Sequence, residues 1–183
     1  VLGGSNHGSE EFYRIRAEIS RILIERYAFD FVAFEADWPN CFEINKWIHG
    51  KSGKNLGQIL KKISRWPSWL LANSQIQQFI AWMHGKGASF YGLDIYSLFE
   101  SLAVIESYSR RFGGLDSAEM LRFFSCFERY ENSEFAYLKS ILQRDSVCQE
   151  EVNQIFNKLL QSKFGETQLN EWELFDALDE LYI

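Results

Sequence analysis

Two short apolar runs, residues 31–34 (Phe-Val-Ala-Phe) and 88–93 (Ala-Ser-Phe-Tyr-Gly-Leu), restrict the fold of this 183-residue chain more than any other feature. Both lack polar alternation, the pattern of parallel strands covered on both faces, and both run into carboxylates. Glu35 and Asp37 follow the first run and Asp94 follows the second. The opening Val1-Leu2 reads as the end of a further strand, leading into the loop Gly3-Gly4-Ser5-Asn6-His7-Gly8. Helical patterns separate one strand from the next, and parallel strands need such crossovers, normally right-handed. The expected architecture is therefore α/β. Repeated βα units over residues 1–96 would form a parallel sheet with flanking helices, and a mainly helical extension would occupy 97–183. His7, Glu35 and Asp94 then fall along one sheet edge, where open α/β sheets hold their ligands.

Between the runs, residues 9–27 repeat apolar side chains at three and four, with Phe12, Ile15, Ile19, Ile22 and Leu23 as the expected inward stripe. Ser9 can cap this helix, and Glu10 and Glu11 suit its first turn. Arg16 falls on the apolar stripe, where an unpaired charge is costly, so it needs an anionic partner. Further helices are expected to residue 48, over 56–63 and over 67–84, where Pro67 is harmless in a first turn. The extension reads as helices over 98–111, 117–127, a piece reaching 142, 147–164 and 169–181. Three strands with a long helical tail make an incomplete α/β domain. The absence of an initiator methionine and the truncated first strand lead to the expectation of a fragment, a single partial domain whose exposed sheet edge needs the missing half or a partner.

Charge removes one class of function. The 19 basic residues are dispersed among 25 acidic ones, giving a net charge of −6, so no basic groove for nucleic acid is expected. No apolar run is long enough to span a bilayer, so no membrane partner is expected either. Cys41, Cys126 and Cys148 form no close pair and no Cys-x-x-Cys knuckle, which predicts no disulfide framework and fits a reducing, cytoplasmic setting.

His7 is the strongest chemical candidate, because imidazole titrates near neutrality and a glycine loop would expose it at the strand edge to take a proton from water. Glu35 can orient that imidazole and stabilise its cation. Arg16 is long and leans toward the helix start, so it reaches the same pocket, to pair with Glu35 or to hold an oxyanion. Asp37 and Asp94 are pocket carboxylates on this reading and loop or cap residues on the plainer one. His49 and His84 each precede a glycine at an element end and read as helix-end residues. No two histidines have the i, i+4 spacing of a helical metal site. The glycine loop lacks the Lys-Ser/Thr ending of a P-loop, leaving phosphate binding a minor alternative. Trp66, Trp69 and Trp82 read as core or as lining of an apolar pocket.

The residues resemble those of the erythromycin esterase-like family. That family's pattern is a Gly-Glu-x-x-His-Gly loop, a Phe-Tyr-x-x-Arg helix, a strand ending Glu-Ala-Asp-Trp-Pro and a Phe-Tyr-Gly-Leu-Asp-x-Tyr-Ser-Leu segment. Here these are Gly3 to Gly8, Phe12 to Arg16, Glu35 to Pro39 and Phe90 to Leu98. Trp66-Pro67-Ser68-Trp69 and Cys126-Phe127-Glu128-Arg129-Tyr130 also look like family segments. The resemblance implies a hydrolase of small-molecule esters, of macrolactone type and linked to antibiotic resistance, acting without a metal or other cofactor. His7 would be the general base, Glu35 its acidic partner and Arg16 a site arginine. From their strand-end positions, and not from the resemblance, Asp37 and Asp94 are expected to bind substrate. Two departures bear on that expectation. Gly4 stands where the family loop carries glutamate, and the family's later half, with its Trp-Ala-His-Asn-x-His segment, has no counterpart here. A catalytically silent relative that keeps the fold for binding is the alternative expectation.

Overall fold

The computed structural model describes residues 1–3, 8–63, 69–94, 96–112, 115–143 and 148–161. The chain divides into two compact units, Val1–Asp94 and Ile95–Ile183. Among the described residues no helix is long and apolar enough to cross a membrane.

The first unit runs α1 (Glu10–Tyr27), β1 (Phe31–Asp37), α2 (Trp38–Ile48), α3 (Leu56–Leu60), α4 (Trp69–Ala72), α5 (Ser74–Met83) and β2 (Ser89–Asp94). The two strands pair in parallel, from Phe31 opposite Ser89 to Phe34 opposite Gly92, and resume at Asp37 opposite Asp94 after an irregularity. Three residues of β1 thus oppose two of β2, a bulge of the kind that re-aims side chains near functional sites. The expected third strand is corrected: Val1 and Leu2 are exposed and in no strand, and two residues offer too few ladder bonds to form one. Among the described residues the sheet has two strands, so the repeated βα units reduce to one crossover through four helices.

The core lies on one sheet face. Phe34 stacks on the buried Phe90 with ring centroids 5.7 Å apart, over Ile44, Ile48, Ile80 and Met83 from α2 and α5. The opposite face is open, with Phe31 55% and Leu93 65% exposed, which corrects the expectation of strands covered on both sides. Asn45 is the polar residue on the buried face of α2, and its Oδ1 accepts the Phe90 N–H at 2.9 Å. That bond joins helix to strand and satisfies a buried donor.

The inward face of α1 also differs from the expected stripe. Tyr13 and Ala17 are buried and Ile24 packs on the core, whereas Ile15, Ile19 and Ile22 are exposed. Polar anchors on the face through residues 10, 13, 17, 21 and 24 account for this: Gln75 of α5 donates to Glu10 at 2.7 Å, and the Arg21 guanidinium lies over Trp82, 5.5 Å from the ring centre. The helix expected over 67–84 is divided, because Asn73 accepts the Ile76 N–H at 3.0 Å and caps α5 separately from α4. The expected 56–63 helix stops at Leu60. Residues 64–68, including Trp66, lie outside the described residues.

The second unit is helical: α6 (Leu98–Phe112), α7 (Ser117–Glu128), α8 (Glu134–Leu142) and α9 (Gln149–Gln161). Asp116 and Glu119 form a reciprocal capping box at the start of α7. Phe123 and Phe127 pack with rings 5.5 Å apart, Tyr137 joins from α8, and the Tyr130 hydroxyl meets Ser140 Oγ at 3.2 Å. A disulfide joins Cys126 near the end of α7 to Cys148 just before α9. At the other ends of the two helices Lys158 pairs with Glu119, so α7 and α9 run antiparallel. The disulfide overturns the expectation that these cysteines stay apart, and with it the argument for a reducing compartment. Their separation of 22 residues hid a proximity that only the helix pairing creates. The helix expected over 169–181 lies outside the described residues.

Candidate active site

The parallel pairing brings three carboxylates to the C-terminal ends of the strands. Glu35 lies within β1 rather than after it, exposed on the open face beyond Phe31 and Ala33. Two residues on, Asp37 is only 8% exposed, opposite Asp94 in register and at the N-cap position of α2. What lets the strands lie so close at this point is visible only in the structure. A Cβ on Gly92 would lie 2.5 Å from the Ala36 carbonyl oxygen and 2.8 Å from the Trp38 Cα, so only glycine lets the bulged strand approach. Because those neighbours are backbone atoms, they cannot swing aside.

Burial, and then the negative charges of Glu35 and Asp37, push the Asp94 carboxyl up from its ordinary range. The three carboxylates therefore share one electrostatic environment. Cys41, one turn into α2, is fully buried beneath them. Burial, followed by Asp37 and Asp94, pushes its thiol far above the usual cysteine range. Reactive cysteines are those whose thiolate is favoured, so Cys41 is core and not nucleophile.

Arg16 stands on α1. Its Nε donates to the Phe12 carbonyl oxygen at 3.1 Å, and its guanidinium lies over the Tyr13 ring, 4.9 Å from the centre. Tyr13 is 4% exposed. Burial raises its phenol, the Arg16 charge opposes that rise and the Glu35 charge adds to it, so Tyr13 lies in the fields of both site residues. Arg16 forms no ion pair among the described residues, so the expected anionic partner is not a residue seen here. Sequence reasoning missed Tyr13, although it stands three residues before Arg16, the spacing that places side chains together on a helix.

His7 lies outside the described residues. The other histidines stand at helix ends. His49, at the C-cap of α2, meets Ser89 Oγ at 3.2 Å near the start of β2, and burial followed by Lys51 lowers its pKa. His84, at the C-cap of α5, packs edge-on to Trp47 with centroids 4.7 Å apart. Among the described residues no group of His, Cys, Asp and Glu side chains is arranged to hold a metal ion.

The family model for erythromycin esterase matches residues 24–180. The match contains Glu35, Asp37 and Asp94, whereas His7 and Arg16 precede it. No solved structure matches the chain. With most of its length covered by that one model, the chain belongs to the erythromycin esterase family of hydrolase-like proteins.

Proposed function

We propose that this protein hydrolyses carboxylic esters by activating water at the carboxylate-lined strand ends. The observation that carries the reading is Arg16: a partly buried guanidinium, anchored through Nε and ring contact, with no ion-pair partner among the described residues, over a Tyr13 ring that also lies in the field of Glu35. His7 takes a proton from water as the oxygen attacks the ester carbonyl carbon. Glu35 orients the imidazole and stabilises the resulting cation. The carbonyl oxygen gathers negative charge, and the terminal N–H groups of Arg16 stabilise it. When the tetrahedral intermediate collapses, the carbon to alkoxide-oxygen bond breaks and the His7 imidazolium returns the proton to the departing alcohol. Asp37 and Asp94 accept hydrogen bonds from substrate hydroxyl groups. A hydroxylated macrolactone of the antibiotic type fits that polarity, with one water consumed and no cofactor.

The test is hydrolysis of macrolactone and simple aryl esters by the intact protein and by His7→Ala. The mutant is expected to stay folded and lose at least about a hundredfold in kcat, the scale of general-base loss. Undiminished turnover in a folded His7→Ala protein would remove the assignment. Gly4, in the loop position where relatives carry glutamate, favours a second reading, a silent relative that binds the ester without cleaving it. Its signature is ester binding without turnover, with activity appearing only in Gly4→Glu.

A further inference from the structure

Few arginines on a helix surface have a fixed guanidinium, because the side chain carries several rotatable bonds and water competes for its donors. Arg16 is restrained at two points. Its Nε–H is committed to the Phe12 carbonyl oxygen four residues back, and the guanidinium carbon lies over the Tyr13 ring three residues back. Of five N–H donors one is used, and the four on the terminal nitrogens make no hydrogen bond to a described residue. Tyr13 is itself immobilised, buried in the core cluster on the face of α1 that packs against the rest of the unit. A rigid ring under a guanidinium is a shelf, and an arginine held that way presents its donors with little orientational freedom left to lose.

We infer that Tyr13 is the positioning residue of this site: its buried ring holds the Arg16 guanidinium in place, so that the terminal N–H groups meet the oxyanion of a bound ester. The inference deepens the esterase reading and rests on it for the identity of the anion. The positioning itself has consequences that need no turnover. Since the aromatic face does the holding, the ring is what Arg16 needs. Tyr13→Phe should therefore keep the function that Tyr13→Met loses, although both side chains fill the space with apolar atoms.

The experiment follows the Arg16 Nε–H by nitrogen-15 NMR in the intact protein, alongside steady-state hydrolysis of an aryl ester and inhibition by a phosphonate mimic of the tetrahedral intermediate. In the wild type this proton should be slow to exchange, shifted by the ring current and in nuclear Overhauser contact with the Tyr13 ring. Tyr13→Phe should preserve the signal and the kinetics. Tyr13→Met should lose the ring shift, with a fall of roughly tenfold in kcat and in phosphonate affinity and little change in KM. Combining it with Arg16→Lys should add nearly nothing to the loss from Arg16→Lys alone. If no ester is turned over by the wild type, the esterase reading fails while the NMR signature still decides the positioning. An Arg16 proton without contact to the Tyr13 ring in the wild type, or an unchanged ring shift and phosphonate affinity in Tyr13→Met, overturns the inference. The wild-type contact decides the matter even if Tyr13→Met does not fold.

Discussion

At the scale of single residues, the site is a contest between burial and repulsion. Asp94 is the clearest case, since burial and the charges of Glu35 and Asp37 all favour its protonated form. A carboxyl whose pKa is higher folded than unfolded costs the folded state stability at every pH above its folded pKa, and the cost disappears as acid protonates it in both states. Asp94→Asn removes the charge at constant shape. Its melting temperature should therefore exceed that of the wild type at pH 7, with the gain shrinking as the pH falls into the carboxylate range, while affinity for hydroxylated esters drops. A lower melting temperature at pH 7 would show that the ionised carboxylate is a net stabiliser. Glu35, Asp37, Asp94 and Arg16 were legible in the sequence as strand-end or misplaced charges. Tyr13 and Gly92 were not. An aromatic residue in an amphipathic helix carries no mark of what lies over its ring, and the need for Gly92 exists only once β1 is placed beside it.

At the scale of elements, a buried polar bond joins the crossover to the sheet. Asn45 lies on the same face of α2 as Ile44 and Ile48, and its oxygen takes a buried strand N–H. Leaving such a donor unpaired costs about 1–3 kcal/mol. Asn45→Ala should lose stability on that scale in urea denaturation and speed hydrogen exchange at the Phe90 amide. Retained protection of that amide would mean that another group satisfies it. The element boundaries show what periodicity alone can read. Helices α1, α2 and α6 stand where their patterns predict. The interior face of α1 does not, because three exposed isoleucines outweigh Tyr13 and Ala17 in any hydrophobic count, whereas the structure turns on the Gln75–Glu10 and Arg21–Trp82 contacts. The split between α4 and α5 depends on one asparagine oxygen, a local choice between capping a helix and continuing one.

At the scale of the whole molecule, the second unit carries a covalent brace. Closing a loop of this length stabilises by about 3 kcal/mol in the chain-entropy account. Reduction, or Cys148→Ser, should therefore lower the stability of the second unit by that order in chemical denaturation and increase hydrogen exchange in α7 and α9. No change on reduction would show that the helix packing suffices without it. Sequence spacing could not expose the pair, because α7 and α9 come together only through tertiary packing. The parallel pairing of the two strands was legible, since both runs end in carboxylates and helices lie between them. The two-stranded extent of the described sheet was not, because residues 1 and 2 look like strand by composition and make no ladder.

On the proposed esterase reading, the carboxylates at the ends of β1 and β2 serve chemistry. Glu35 offers the cleanest test because it is exposed, so a change there should not disturb the core. The measurement is kcat for ester hydrolysis by the intact protein against its Glu35→Gln variant, with melting temperatures in parallel. A loss of about a hundredfold or more is expected with the melting temperature nearly unchanged, the scale set by removing the partner of a general base. Equal rates in the two folded proteins would contradict it.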